Sequence, residues 1–469
     1  MDIELKDIIR TLEESRFKEA QKLIEHYQPR ASERAFVSYL RALTTFNLGH
    51  IEESFLSFQA CLNRESPIEW WLNYGILCRN SERWASLQEV AHELSTRGVT
   101  GYEASALISE AARRSCRLHQ AVEAFEEEHR RQPEDHRVGL GYANALRDAG
   151  RYDDAVNVFE DLLSHSREPE VLWNMALSKL ALGPSHLDAL EVRFQRSTPP
   201  FLEYAPDALP RLTDANQLSD ARLPVISEQG FGDTLQFCRY IGGLEEKCST
   251  LAWVVPKRLK TLLSLSFPEV ELLNPDDVDE AKWDGWISLM SCGSLNLKEP
   301  QSPYLRAPKL PTEYQKYQGA VCINWAGSST YVHDYWRSLS IKDFAPLYTK
   351  GLSAKIVSIQ HGLTDKEQDT LPSNVAPLGH CLDTGADGFC ETAALIVASK
   401  ALITTDTSVA HLAGGLGVNT HLILGPLADW RWEWSEESTP WYPSLRLHRW
   451  HSRDELPTVM AKIRDELGG

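Results

Sequence analysis

The chain has 469 residues, 42% of them apolar and 24% charged, with a formal net charge of −18. That length exceeds one ordinary core and predicts two or three domains of globular composition. The acidic balance argues against nucleic acid as the main partner, because cationic contacts to phosphates dominate that affinity. No apolar run approaches a membrane span. The start, Met1-Asp2-Ile3-Glu4-Leu5-Lys6, carries acids early and does not read as a signal peptide. Nine cysteines without a Cys-x-x-Cys pair read as free thiols of a reducing compartment, so a cytoplasmic protein is expected.

The N-terminal part repeats. Arg16-Phe17-Lys18-Glu19-Ala20, His50-Ile51-Glu52-Glu53-Ser54, Arg83-Trp84-Ala85-Ser86-Leu87, Arg117-Leu118-His119-Gln120-Ala121 and Arg151-Tyr152-Asp153-Asp154-Ala155 start 34, 33, 34 and 34 residues apart. Ser185-His186-Leu187-Asp188-Ala189 is a weaker sixth copy. Phe58, Phe125 and Phe159 follow the small position by four residues. This period resembles the tetratricopeptide repeat, two antiparallel helices with a small residue where they cross. Each pair buries its apolar stripe only against its neighbours, so a solenoid with a concave face is expected over 1–198. Such a face suits a peptide or protein partner; a packing scaffold or dimerisation arm is the alternative. Stacking of solenoid ends would give a homo-oligomer.

Near residue 200 the pattern changes. Pro199-Pro200 and the Pro206 to Pro210 stretch mark a linker. Leu223–Ser227 reads as a strand, followed by Gly230-Phe231-Gly232-Asp233 and a helix from Thr234 to about Ile241. Leu251–Val255 and Trp286–Met290 read as further strands, and a second linker spans Pro300 to Pro311. Then come Ala320–Trp325 (strand), Ile341–Tyr348 (helix), Lys355–Gln360 (strand), Asp387–Lys400 (helix), Ala401–Thr404 (strand), Ser408–Leu416 (helix) and Thr420–Leu424 (strand). Gly351 and Gly417 stand where helix C-caps belong. This alternation predicts parallel sheets in two α/β lobes, 199–310 and 311–469, with a cleft at the carboxyl ends of their strands.

Four stretches carry candidate chemistry. Gly232 permits close approach of a ligand, and Asp233 is placed either to accept a proton from a hydroxyl or simply to cap its helix. Asn324 to Ser329, with Gly327, ends the first strand of the second lobe. Arg337 in the next loop would neutralise a diphosphate, or pair with Asp334 or Asp343. Thr405-Asp406-Thr407-Ser408 joins a buried strand to a helix whose free N–H groups suit a phosphate, with His411 one turn in. A plain N-cap with a packed histidine is the alternative there. The aromatic run Asp429-Trp430-Arg431-Trp432-Glu433-Trp434 suits a nucleobase or a sugar face, and also plain interdomain packing.

Gly230-Phe231-Gly232-Asp233-Thr234-Leu235-Gln236-Phe237, Arg337-Ser338, Val357-Ser358-Ile359-Gln360, Thr405 to Ala413 and Asp429-Trp430-Arg431-Trp432 together resemble the heptosyltransferase-related glycosyltransferase domain found after tetratricopeptide repeats in bacterial proteins. The resemblance covers about 220 to 450. It implies an α/β domain of GT-B type with two Rossmann-like lobes, a nucleotide-sugar donor held by the second lobe, and no metal or other cofactor. It implies catalytic roles for Asp233, Arg337 and His411, and donor binding by Gly232, Gly327, Gln360, Thr405, Asp406, Thr407 and Ser408. The family's basic, Ser-rich lead into the Gly-Asp turn is here Ser227-Glu228-Gln229, and the first lobe is short. The layout is similar to that of protein O-glycosyltransferases, which implies a protein Ser/Thr hydroxyl as acceptor. The alternative is a non-catalytic repeat scaffold with a vestigial transferase domain.

Overall fold

The structure, a computed structural model, describes residues 3–295, 297–298, 302–331, 333–349 and 352–468. Gly351 and the start of the second linker at Pro300 lie outside the described residues. The chain forms two compact units, Met1–Ser166 and Arg167–Gly469.

The first unit is built of helix pairs: Ile3–Glu13 with Phe17–His26, Arg34–Asn47 with Ile51–Cys61, Ile68–Asn80 with Trp84–Thr96, Tyr102–Arg114 with Leu118–Arg131, and His136–Asp148 with Tyr152–His165. The repeated sequence segment marks the turn inside each pair. Ser15, Gly49, Glu82, Cys116 and Gly150 all take left-handed backbone, with φ between 56° and 80°. The next residue then donates its N–H back across the turn, as in Arg16 to Thr11, His50 to Thr45, Arg83 to Cys78, Arg117 to Ala112 and Arg151 to Leu146, at 2.8–2.9 Å. This is the Schellman closure of a helix end, and it satisfies carbonyls that would otherwise be orphaned. Three of the five left-handed residues are not glycine, so register rather than residue type defines the turn.

The small positions behave as the pattern predicts: Ala20, Ser54, Ala121 and Ala155 are fully buried, as are Phe58 and Phe159. Gly141 makes room for Phe125, since a Cβ there would stand 2.4 Å from the ring.

The second unit holds two sheets. The first has the order β3-β2-β1-β4, from β1 (Arg222–Ile226), β2 (Thr250–Val254), β3 (Glu271–Leu273) and β4 (Ile287–Ser288). The second has the order β10-β9-β8-β5-β6-β7, from β5 (Val321–Asn324), β6 (Ile356–Ser358), β7 (Val375–Pro377), β8 (Ala401–Thr405), β9 (Thr420–Leu424) and β10 (Leu445–Arg449). Every pairing between these strands is parallel. Strand order reverses beside β1 in the first sheet and between β8 and β5 in the second, which makes both places crevices in a parallel sheet.

Several expectations are corrected. The weak sixth repeat copy falls in a 3-10 segment, Pro184–Gln195, and together with the helix Pro169–Leu182 belongs to the second unit, so the units divide at 166 rather than 198. The cause is Arg193, whose buried guanidinium reaches Glu228 at 2.7 Å and the hydroxyls of Ser288 and Ser291 at 3.1 and 3.0 Å. Of the expected Trp286–Met290 strand, Ile287–Ser288 pairs with β1 and Trp286 bridges to Arg211, while Leu289–Ser294 coils into 3-10 turns, with the Met290 N–H taken by Glu228. The helix expected from Asp387 starts at Cys390, after Phe389 at φ 65°. Strands β3, β7 and β10 are additions to the sequence reading. The Pro-rich segment before β5 is not a free hinge: Tyr304 and Leu305 both donate N–H to Gly415, and the Tyr304 hydroxyl donates to the Leu235 carbonyl at 2.9 Å. Gly417 caps its helix in left-handed backbone, as expected.

Candidate functional site

Strand β1 leads through Gln229, in left-handed backbone, into the helix Phe231–Phe237. Gly232 and Asp233 therefore lie inside the first helical turn rather than in a loop before it. Strand β8 leads through Asp406 and Thr407 into the helix Ser408–Leu416. The two helices touch at Gly232: a Cβ there would stand 3.1 Å from the His411 ring and 3.6 Å from the Ser408 Cα. A side chain there would have to push the His411 ring back by a few tenths of an ångström, so glycine suits the close approach.

Beside this contact a cavity of about 480 Å³ is lined from both lobes, including Gly232, Asp233, Gly327, Arg337, Asp406, Thr407, Ser408 and His411. A second cavity of about 300 Å³ shares Phe231, Gly327, Ser328, Thr407 and Ser408 with it and adds Gln360 and Arg258. The sequence-derived candidates thus converge on one cleft at the carboxyl ends of β1, β5 and β8. Thr405 is the exception; it is fully buried as the last residue of β8.

Asp233 combines both roles weighed for it. Its Oδ2 accepts the Gly230 N–H at 3.0 Å at the start of its own helix, while its Oδ1 accepts from Arg431 Nη2 at 2.5 Å. Its side chain remains 23% exposed. Burial pushes its carboxyl above the usual range, against the pull of Arg431 and the Gly230 N–H. Arg431 also reaches Gln236 at 2.5 Å and Asp429 at 2.8 Å, so one guanidinium spans the two lobes.

Asp406 is raised to about 6, first by burial and then by the nearby Asp429 carboxylate, with Arg337 and Arg431 opposing. Thr407 is extended, with φ −142° and ψ 170°, and no side chain caps the helix it opens. Its hydroxyl turns inward to Asn324 Oδ1 at 3.2 Å. The Ala410 N–H turns back to the Thr407 carbonyl at 2.9 Å, so the N–H groups of Ser408 and Val409, which line the cleft, are those left for a ligand.

Arg337 pairs with Asp334 at 2.8 Å and with the Ser328 carbonyl at 3.0 Å, not with Asp343, which caps the turn at Ser340. Its guanidinium still lines the cavity, 2.6 Å from where a Cβ on Gly327 would stand. Gln360 organises the loop after β5. Its Oε1 accepts from Asn324 Nδ2 and from the N–H groups of Trp325 and Ala326, at 2.8, 3.0 and 2.9 Å. His411 is buried, stacks on Trp432 with ring centres 5.2 Å apart, and bonds through Nδ1 to the Tyr442 hydroxyl at 2.9 Å. Burial, aided by Arg431 and Arg239, holds its imidazole neutral.

Tyr331 and Arg258 join the site without having been singled out from sequence, and Asp429 and Arg431, quoted there only within a motif run, join it with no role assigned beforehand. The cue for Arg431 was present: it is the one cation within a run of tryptophans, where a buried charge needs carboxylate partners.

No family model matches the chain. A curated relative, Protein FlbA of Caulobacter vibrioides, is 26% identical over 365 residues, covering 69% of this chain and 59% of its own length. The chain thus spans less than two thirds of that relative. Solved structures similar in part include a tetratricopeptide repeat protein from Parabacteroides merdae (15% identity, 42% of this chain and 79% of that one, TM-score 0.37). Others are YrrB, titled a TPR protein with an unusual peptide-binding site (14%, 37% and 91%, TM-score 0.31), and the MamA protein (12%, 35% and 92%, TM-score 0.31). The first unit is a tetratricopeptide-like helical repeat. The second is a parallel-sheet α/β unit. Among the described residues no helix is long and apolar enough to cross a membrane.

Proposed function

We propose that the second unit is a GT-B type glycosyltransferase and that the repeats recruit its protein acceptor. The observation that carries this reading is the convergence of Asp233 and the uncapped start of Ser408–Leu416 on one cleft between two parallel sheets. A nucleotide-sugar would lay its diphosphate against the first-turn N–H groups, with Arg337 beside it. Asp233 would take the proton of the acceptor hydroxyl as its oxygen bonds to the anomeric carbon. The sugar–phosphate bond breaks, and the nucleoside diphosphate leaves with its charge met by those N–H groups. Gln360 supports the site by holding the loop after β5. His411, neutral and tied to Tyr442, acts as a wall and positioning group rather than as an acid.

The test incubates the full chain with a panel of nucleotide-sugars and measures release of nucleoside diphosphate. Wild type is expected to release it from one donor class, and Asp233→Asn to bind that donor without turnover. Equal release by Asp233→Asn would contradict the assignment of the base.

A second reading has its own observation. Asp233 is already paired with Arg431, and Arg337 with Asp334, as in a cleft retained for structure. On that reading the chain is a repeat scaffold for protein partners, and no nucleotide raises its melting temperature.

A further inference from the structure

On β9, the neighbour of β8, and on the edge strand β10, two buried histidines face one carboxylate. His421 on β9 and His448 on β10 point to the same side of neighbouring strands, and Glu466 comes from the last helix, Leu456–Glu466. His421 Nδ1 lies 2.9 Å from His448 Nε2. Glu466 Oε2 lies 3.6 Å from the first and 4.0 Å from the second.

Ligand bonds of about 2.0–2.2 Å at tetrahedral angles put donor atoms roughly 3.4 Å apart. The three separations bracket that value. Two imidazole nitrogens and one carboxylate oxygen form a donor set suited to a borderline divalent ion. We propose that His421, His448 and Glu466 form a binding site for one zinc-type divalent cation, which pins the last helix to the edge of the second sheet.

Three features of the surroundings fit. Strand β10 is the sheet edge, where a cross-link to a covering helix has most to hold. The His421–His448 hydrogen bond puts a proton on one of the two facing nitrogens, and moving that proton to the other nitrogen of the same ring frees both as neutral ligands. Their burial, 4% exposed at each, fixes the rings in place. The competing contact is Arg446, whose Nη1 donates to Glu466 Oε2 at 2.8 Å from a side chain 58% exposed. A bound cation would displace that arginine towards solvent. In the absence of a cation, the same atoms form a histidine–histidine hydrogen bond and an ion pair.

The competing arginine gives a test with two opposite signs. The full chain is stripped with chelator and titrated with Zn²⁺ against a chromophoric competitor. Wild type is expected to take up one equivalent, and Glu466→Gln to bind at least about tenfold more weakly. Arg446→Gln, which frees the carboxylate and removes a repelling charge, is expected to bind severalfold more tightly. Zn²⁺ should also slow amide exchange in Leu456–Glu466 in wild type and not in Glu466→Gln. Both substitutions sit at exposed positions, so folding is checked by their unchanged circular dichroism. Equal Zn²⁺ affinity in wild type and both variants would overturn the site.

Discussion

Arg431 Nη2 donates to Asp233 Oδ1 at 2.5 Å, and this ion pair ties the helix after β1 to the tryptophan-rich segment that precedes β10. The same guanidinium holds Asp429 and Gln236, so it both links the lobes and stands in direct contact with the proposed base. Removing it leaves two carboxylates in a partly desolvated cleft without their partner. Arg431→Ala is expected to cost about 3–5 kcal/mol in urea unfolding of the second unit. Loss of less than about 1 kcal/mol would show that the pair is merely decorative.

Asp406 titrates near 6 in the folded chain, against an unfolded value of 3.8. A raised carboxyl favours the folded state while protonated, so its contribution falls as pH rises from about 4 to about 6 and stays lost above. Asp406→Asn should therefore be more stable than wild type by about 1–3 kcal/mol at pH 8 and no more stable at pH 4. Thermal melts across that range check this. The same substitution should flatten a rise in nucleoside-diphosphate affinity as pH falls through 6, because an anion disfavours a charged neighbour.

Glu228 departs from the basic lead of the resembling family, and the structure gives the reason. It is buried with Arg193, Ser288, Ser291 and the Met290 N–H around the pair. Glu228→Ala strands a buried guanidinium and is expected to cost about 3–5 kcal/mol. A double substitution to apolar residues, Arg193→Met with Glu228→Leu, should recover most of that loss. Failure to recover would mean that the network specifies the fold at this joint.

Gly414 lies under Tyr442, and a Cβ there would stand 2.4 Å from the ring. Gly414→Ala must push Tyr442 away from His411. Overpacking of this kind costs about 1–3 kcal/mol. The tyrosine shift should be visible as a changed His411 ring signal in NMR.

The first five repeat copies were legible because they rest on local chemistry, whereas the sixth was not a helix pair. A period of 33 to 34 residues places the same left-handed turn at Ser15, Gly49, Glu82, Cys116 and Gly150, and helix burial follows from spacing. The helix Ser408–Leu416 and strand β9 were equally clear, since Thr407 and Gly417 bound one and apolar runs mark the other. Strands β3 and β7 escaped because an acid or a proline shares each three-residue stretch, and β10 because Leu445 and Leu447 alternate with Arg446, His448 and Arg449 instead of forming an apolar run. The lining of the cleft was legible through Asp233, Thr407 and Ser408, which sit at strand-to-helix junctions. Arg431 was not, because its role comes from carboxylates 198 and 2 residues away in sequence. The boundary at 166 was hidden for the same reason: Arg193 draws its neighbours into the second unit through a pairing no local pattern announces.

The central claim is that a diphosphate sits on the first-turn N–H groups after Thr407. Ser408→Pro tests it directly, since proline fits the first helical position, follows an extended Thr407 without strain, and removes one of those N–H groups. Calorimetric titration of the full chain with a panel of nucleoside diphosphates should show one that binds wild type and binds Ser408→Pro about tenfold more weakly, with both proteins melting alike. Binding of that ligand with equal affinity to both proteins, or binding of none to wild type, would contradict the account.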